Sequence, residues 1–116
     1  MGKKIKHSKK IAVIVSNFNN EITDGLLKGA LKVFEDKGIK DSSINVIRCP
    51  GAFEIPYIAN KLCVSKKYSV VICLGAVIKG ETAHFEYISD AVSKSIAGLN
   101  LHSGIPVIFG VLTCYK

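Results

Sequence analysis

The chain has 116 residues, which is enough for one domain and too few for two. Hydrophobic residues make up 48% of it, so a single core can form, and the formal net charge is +7. A basic excess can indicate a nucleic-acid partner, but here it is concentrated at one end. Five of the 16 basic residues lie in the first ten positions, and the other 11 are nearly balanced by 9 acidic ones. We therefore predict no nucleic-acid partner.

The amino-terminal residues set the predicted domain boundary. Residues 1–10 are predicted to form a basic, flexible tail, and residues 11–116 a single domain. The apolar run at residues 11–15 is too short for a signal peptide, and no apolar stretch reaches the roughly 20 residues of a membrane helix. The chain is predicted to have no membrane partner.

The four cysteines show no pattern of a metal or redox site, and free thiols are typical of a reducing compartment. None of the four is part of a CxxC pair, so neither a zinc site nor a redox pair is predicted, and Cys63 and Cys73 have the apolar surroundings of buried thiols. The sequence predicts a cytoplasmic protein without a metal or cofactor.

The first half of the chain alternates between strand and helix patterns. Residues 11–15 form a β-branched run typical of a strand buried on both faces, and apolar residues then recur at helical spacing from Ile22 to Phe34. Asn19 or Asn20 can cap this first helix and Gly38 can end it. Residues 44–48 mix polar and apolar side chains, which predicts an edge strand.

The second half continues the same alternation. A second helix follows Pro50-Gly51, with Pro56 in its first turn. Residues 70–74 form a third buried strand, residues 75–83 are predicted to be a loop, and a third helix carries an apolar stripe from Phe85 to Leu99. The fourth strand comprises residues 107–109 and 111–112.

This order predicts an α/β three-layer sandwich around a four-stranded parallel sheet, with strand order 2-1-3-4. The pattern ends on a strand. We therefore expect apolar surface around Val107, Phe109 and Val111 to be left uncovered.

Parallel sheets bind ligands beyond the carboxyl ends of their strands, so the loops there hold the candidate site. Phe18 lies in a polar loop, where its ring must either plug the core or stack on a flat ligand. Glu54 is in a first helical turn, where it either interacts with the helix dipole or contacts a ligand. Neither alternative is settled by position alone.

Residues 75–82 have the glycine spacing of a phosphate loop, but Glu81 stands where the essential lysine should be, which argues against a nucleotide triphosphatase. The helix amino terminus with Thr82 could still hold one small phosphate. His84 follows within the first turn and is the candidate proton-transfer residue, although a lone histidine is more often structural. No nucleophile–base pair is evident, so covalent catalysis is not predicted.

Four segments resemble, in order and spacing, the lumazine synthase family: residues 17–19 (NFN), 50–56 (PGAFEIP), 75–87 (GAVIKGETAHFEY) and 106–113 (PVIFGVLT). The resemblance extends from about residue 11 to residue 113. It implies a flavodoxin-like topology and a transferase of riboflavin biosynthesis. It also implies no cofactor and a homo-oligomer, either a pentamer or a shell of pentamers, with active sites between subunits.

The implied reaction condenses 5-amino-6-(D-ribitylamino)uracil with 3,4-dihydroxy-2-butanone 4-phosphate, giving 6,7-dimethyl-8-ribityllumazine, phosphate and water. By the resemblance, His84 transfers protons, and Glu81 and Thr82 hold the butanone phosphate. Phe109 reaches into the neighbouring subunit's site. The pyrimidine and its ribityl chain are contacted by Phe18, Ala52, Phe53, Glu54, Ala76, Val77 and Ile78.

Three departures from the family pattern stand out. Asn17 and Lys79 occupy positions where the family commonly carries arginine. The sequence given also stops at Lys116, where the family continues into two helices and a phosphate-clamping arginine. We therefore expect this chain to be a poor catalyst that aggregates more readily than it forms a pentamer. The alternatives are a truncated, non-catalytic remnant and a binding module for a pyrimidine or flavin.

Overall fold

The computed structural model describes residues 9–79 and 84–114. Its core is a four-stranded parallel sheet in the order β2-β1-β3-β4, which confirms the predicted fold class and strand order. Two short 3-10 turns, Asp41–Ser43 and Ala52–Glu54, precede β2 and α2. In chain order the main elements are β1 (Lys10–Ser16), α1 (Asn20–Asp36), β2 (Ile44–Cys49), α2 (Ile55–Ser65), β3 (Tyr68–Ile78), α3 (Phe85–His102) and β4 (Val107–Cys114).

The central strand β1 is buried on both faces, as its β-branched run predicts. Ala12 and Ile14 belong to the cluster that includes residues of α2 and α3. Val13 and Val15 face the opposite side, against α1 residues such as Phe34. The sheet therefore lies between one helix on one face and two on the other, which confirms the three-layer arrangement. None of the described helices is long and apolar enough to cross a membrane.

The ends of α1 are set by backbone conformation rather than by a side-chain cap. Asn19 occupies the capping position in the left-handed conformation, with φ 63°, and makes no side-chain capping bond. Its carbonyl oxygen accepts hydrogen bonds from the N–H groups of Ile22 and Thr23 at 3.0 and 3.1 Å. Asn19 is therefore the capping residue, as one of the two predicted alternatives has it, but it caps through its backbone. The predicted stop is confirmed, because Gly38 follows the helix with φ 78°, which suits glycine.

The third strand extends farther than its sequence indicates. The loop predicted to begin at Gly75 is wrong, because residues 75–78 continue β3 and pair with residues 111–114 of β4. Gly75 serves close packing rather than a turn: a Cβ there would lie 3.0 Å from Ser16 Oγ and 3.1 Å from Ile55 Cδ1. This extension carries the backbone of β3 to the carboxyl edge of the sheet, beside the loops that follow β1 and β2.

The edge strand β4 is covered on one side only. Val107 and Val111 are buried on the side of the sheet that α3 covers. Ile108, Phe109 and Leu112 are 43–47% exposed, and they form the uncovered apolar surface that the sequence predicts in this region. Asn100 of α3 holds the start of the strand: its Oδ1 accepts from the Val107 N–H at 2.7 Å, and its Nδ2 donates to the Val107 carbonyl at 2.5 Å.

Candidate functional site

A cavity of about 330 Å³ lies at the carboxyl edge of the sheet. It is bounded by the loops after β1 and β2, by the end of β3 and by the first turns of α3. Open parallel sheets commonly bind small ligands at this edge. All seven residues predicted to contact the pyrimidine and its ribityl chain line it, and Phe109, predicted to act in a neighbour's site, does not. The full lining is Phe18, Pro50, Gly51, Ala52, Phe53, Glu54, Ala76, Val77, Ile78 and Ile88.

Phe18 faces this cavity from the loop after β1. Half of its surface is exposed, so it does not plug the core. The loop is tied to the end of β2 by two backbone hydrogen bonds: the Asn17 N–H donates to Cys49 O at 2.8 Å, and the Phe18 N–H donates to Pro50 O at 2.9 Å. The aromatic face is therefore presented from an ordered backbone and is available to stack on a flat ring.

An arginine clamp holds the same loop from its other side. Arg48 Nη1 donates to Asn17 Oδ1 at 3.2 Å and to Asp24 Oδ1 at 2.9 Å. Arg48 ends the exposed face of β2, whereas Asp24 lies in α1, so one side chain joins strand, loop and helix. Arg48 is the only arginine of the chain and lies at the carboxyl end of a strand, but nothing in the sequence indicates that Asn17 and Asp24 are its partners.

The 3-10 turn at Ala52–Glu54 sets three predicted residues side by side. Glu54 Oε1 accepts the Gly51 N–H at 2.9 Å, which fixes the carboxylate over the start of the turn. Ala52 is buried and Phe53 is 60% exposed. The Glu54 carboxylate thus stabilises its own turn and also lines the cavity, so neither alternative in the sequence argument excludes the other.

The floor of the cavity comes from the carboxyl end of β3. Ala76 and Val77 are buried and Ile78 is half-buried. Ile88 of α3 completes the wall, although its sequence position indicated only the apolar stripe of that helix. Helical periodicity identifies a buried face but does not show which residue on that face borders a cavity.

His84 lies beside the cavity rather than within its lining. It precedes α3 as the capping residue, and its carbonyl accepts the Ile88 N–H at 2.9 Å. A second hollow, of about 380 Å³, is lined by His84, Tyr87, Phe53 and Ile88. The last two also line the main cavity, so the two spaces adjoin. The ring centroids of His84 and Tyr87 are 6.2 Å apart.

The remaining predicted residues are distributed differently. Glu81 and Thr82, the predicted phosphate contacts, lie outside the described residues. Lys79, at the end of β3, has its Nζ 3.7 Å from Glu86 Oε2. Phe109 is 46% exposed on β4 and does not line the cavity of its own chain.

The buried thiols near the site are poor nucleophiles. Burial, reinforced by the negative charge of Glu54, raises the pKa of Cys49 to about 11. Burial also raises the pKa of Cys73 to about 12. Both thiols are therefore protonated at neutral pH, whereas the thiolate is the reactive form. Among the described residues, no group of three or more His, Cys, Asp or Glu side chains could hold a metal ion.

Comparison with known proteins agrees with this architecture. The family model described as 6,7-dimethyl-8-ribityllumazine synthase matches residues 8–116. A protein of that name from Desulfotalea psychrophila (strain LSv54 / DSM 12343) is 55% identical over 105 residues, which cover 90% of this chain and 68% of the relative. The match includes all four strands, all three helices and every residue of the cavity lining. The chain belongs to the 6,7-dimethyl-8-ribityllumazine synthase family.

Proposed function

We propose that this chain catalyses the condensation of 5-amino-6-(D-ribitylamino)uracil with 3,4-dihydroxy-2-butanone 4-phosphate, giving 6,7-dimethyl-8-ribityllumazine, phosphate and water. The observation that carries the proposal is the cavity of about 330 Å³ in which Phe18, Glu54 and the end of β3 meet. Membership of the lumazine synthase family supplies the reaction.

The cavity is suited to a flat, polar ring. Phe18 offers an exposed aromatic face for stacking on the uracil, and the apolar side chains of Val77 and Ile78 form a wall beside it. The Glu54 carboxylate, held by the Gly51 N–H, is placed to accept hydrogen bonds from ribityl hydroxyl groups. In this proposal, the groups that bind the pyrimidine are ordered before the ligand arrives, so less conformational entropy is lost on binding.

The chemistry requires positioning and proton transfer more than covalent help from the protein. The 5-amino group of the pyrimidine attacks the ketone of the butanone, and one water leaves to form an imine. Phosphate is then eliminated, and the ribitylamino nitrogen closes the ring on the remaining carbonyl carbon with loss of a second water. Holding the two reactants together supplies most of the acceleration. His84, in the hollow that adjoins the cavity, is the proposed proton-transfer residue, with a contribution of about 10²–10⁴-fold.

The butanone phosphate is proposed to bind at Glu81 and Thr82, chiefly through backbone N–H groups. The start of α3 supports this assignment, because the amino terminus of a long helix attracts anions. Lys79 is a nearby cation, although its Nζ is 3.7 Å from the Glu86 carboxylate. A lysine acts on phosphate as a point charge, without the paired donors of an arginine.

The assembly proposed is a homo-oligomer, a pentamer or a shell of pentamers, with each active site between neighbouring subunits. Phe109 supports this arrangement, because it is 46% exposed on an edge strand and could reach the cavity of a neighbour. A cytoplasmic location is proposed as well, since Cys49, Cys63 and Cys73 are all free thiols.

Product formation tests the proposal directly. The purified protein is mixed with both substrates, and lumazine fluorescence is followed against reactions that lack either substrate or the protein. We expect product to appear faster than in the protein-free mixture. If no product forms, calorimetric titration with the pyrimidine alone distinguishes the two alternatives. Binding without turnover would identify a pyrimidine-binding module, and absence of both binding and turnover would identify a non-catalytic remnant.

A further inference from the structure

A second polar pocket lies at the opposite end of the sheet from the cavity. It has a volume of about 510 Å³ and is lined by six residues: Lys9, Lys10, Asn45, Lys66, Lys67 and Tyr68. The strands β1, β2 and β3 all begin here, and α2 ends here. Four of the six lining residues are lysines and none is acidic. This group is called the lysine pocket below.

The fold places these lysines together. The Lys10 N–H donates to Lys67 O at 3.1 Å, which joins the start of β1 to the chain just before β3. Lys66 ends α2 in the left-handed conformation, with φ 62°, and its N–H donates to Cys63 O at 3.3 Å. Neighbouring strand starts and a helix end therefore bring the backbones of the four lysines to one place on the surface.

Tyr68 also lines the pocket, and its hydroxyl group can serve as a hydrogen-bond donor. Tyr68 is 93% buried, and its hydroxyl oxygen accepts from Asn45 Nδ2 at 2.8 Å. Among the described residues, the hydroxyl proton of Tyr68 has no acceptor. The ion pairs between described residues involve Lys32, Arg48, Lys79 and Lys94. None of them involves a lysine of the pocket.

The local structure does not neutralise this charge. The carboxyl terminus of a helix such as α2 carries the equivalent of about half a negative charge, so it can balance the positive charge of one lysine at most. No acidic residue occurs before Glu21 or between Glu54 and Glu81, so the two segments that carry the four lysines contain no carboxylate, and Asp41, near Asn45, does not line the pocket.

We propose that the lysine pocket binds a short phosphate chain, such as inorganic tripolyphosphate or the triphosphate group of a nucleotide. A phosphate chain carries several negative charges on acceptor oxygens only, which matches four ammonium groups and one hydroxyl donor. A volume of about 510 Å³ is in the range of small-ligand pockets. The absence of arginine from the pocket disfavours base recognition in a nucleic acid. This site is separate from the proposed active site and does not depend on it.

Calorimetric titration of the full chain with tripolyphosphate tests the proposal, first at low salt. We expect one saturable site per chain, weakened by added salt because solvent-exposed charges are screened. Lys66→Gln combined with Lys67→Gln should weaken binding by about tenfold or more, since two ammonium–phosphate contacts are lost. Tyr68→Phe removes only the hydroxyl donor and should weaken binding by about threefold.

The matched control is Lys28→Gln combined with Lys94→Gln, which lowers the net charge equally at positions outside the pocket. We expect binding within about twofold of the unchanged protein. Thermal melting shows whether each variant is folded. A comparison of the affinities for ATP and AMP shows whether the pocket requires a triphosphate group or accepts a single phosphate.

Four outcomes would overturn the proposal. The first is that tripolyphosphate does not bind. Equal weakening by both double variants would show that the anion responds to the overall charge of the protein, and unchanged affinity in the pocket variant would show that it binds at another site. Tighter binding of a single-stranded oligonucleotide than of tripolyphosphate would indicate a nucleic-acid surface.

Discussion

Phe18 and Phe34 allow recognition to be separated from packing with the same substitution. Phe18 is half exposed beside the cavity, whereas Phe34 packs on the α1 side of the sheet. Phe18→Ala should lower the free energy of unfolding by no more than about 1 kcal/mol and weaken pyrimidine binding by about tenfold. Phe34→Ala should cost about 2 kcal/mol or more in stability. Calorimetry and thermal melting measure both. A collapse in the Tm of Phe18→Ala with unchanged affinity would show a packing role instead.

His84 provides a test of how the catalytic work is divided. We expect His84→Ala to reduce turnover without abolishing it, because the two reactants condense readily once they are held together. The decrease should fall within about 10²–10⁴-fold, the usual range for general acid–base catalysis. Steady-state kinetics measures it. His102→Ala, at the far end of α3, is the matched control and should retain ordinary turnover. A loss beyond about 10⁴-fold in His84→Ala would contradict the division proposed.

The residue types that could be identified from sequence were those with an unusual setting. A phenylalanine in a polar loop and a histidine beside a helix start both indicate a site, and both lie at the carboxyl edge of the sheet. Arg48 has no such signal in its immediate sequence. Its partners Asn17 and Asp24 are 31 and 24 residues away, and only the folded chain brings them within hydrogen-bond distance.

At the scale of elements, the Arg48 clamp joins β2, the loop after β1 and α1. Exposed ion pairs contribute little to stability, so Arg48→Met should lower the free energy of unfolding by about 1 kcal/mol or less. Its main effect should be a looser Phe18 loop and about threefold to tenfold weaker pyrimidine binding. Arg48→Lys keeps one donor for Asp24 and should recover part of the affinity.

Lys32→Met is the control for this clamp, because it breaks an exposed ion pair with Asp36 in the last turn of α1, away from the Phe18 loop. It should leave pyrimidine affinity unchanged. Equal effects of Lys32→Met and Arg48→Met on affinity would attribute the change to net charge rather than to the clamp, and calorimetric titration distinguishes the two.

One crowded glycine and one glycine in open space test how closely β4 packs against β3. A Cβ at Gly110 would lie 2.8 Å from Leu74 Cδ2 and 2.9 Å from the Cys73 carbonyl oxygen, and a backbone atom cannot easily move away. Gly110→Ala should therefore destabilise the protein by about 1–3 kcal/mol. Gly29, in α1, has no atom within 4 Å of its added Cβ, so Gly29→Ala should stabilise by about 0.5–1 kcal/mol. Chemical denaturation measures both, and a harmless Gly110→Ala would show that β3 and β4 are less tightly paired.

The third strand shows where sequence patterns lose information about elements. Gly75 ends an apolar run, and a glycine at that position usually indicates a turn. Here it is buried inside β3, where a larger residue would meet Ser16 Oγ and Ile55 Cδ1. The length of β3 is decided by its pairing with β4, and that contact joins residues more than 30 positions apart. Local composition cannot report it.

At the scale of the whole molecule, the alternation of strands and helices determined the topology well. A run buried on both faces must be a central strand, and the polar pattern of residues 44–48 identified the edge. Coverage of the last strand was less predictable. The sequence predicted uncovered apolar surface around this strand but not which side chains would form it: α3 covers Val107 and Val111, whereas Ile108 and Leu112 remain accessible.

The accessible apolar side chains of β4 make this edge strand a surface for self-association. Ile108 and Leu112 lie on the same face of one edge strand, whereas Phe109 points to the opposite face, and clustered apolar exposure favours association in a way that scattered side chains do not. We expect the 116-residue chain to self-associate in light scattering, and Ile108→Ser combined with Leu112→Ser to reduce the associated fraction. Both positions are more than 40% exposed, so the double variant should keep its melting temperature within a few degrees.

The control for this surface is Val33→Ser combined with Val64→Ser, which removes two exposed apolar side chains from different helices. It should leave association unchanged, because neither residue belongs to the β4 cluster. A defined species of five times the 12.5 kDa chain mass would support the proposed pentamer, and a broad distribution of larger species would indicate aggregation. A monodisperse monomer at tens of micromolar would contradict both, since the edge strand would then be stable in water with its apolar side chains uncovered.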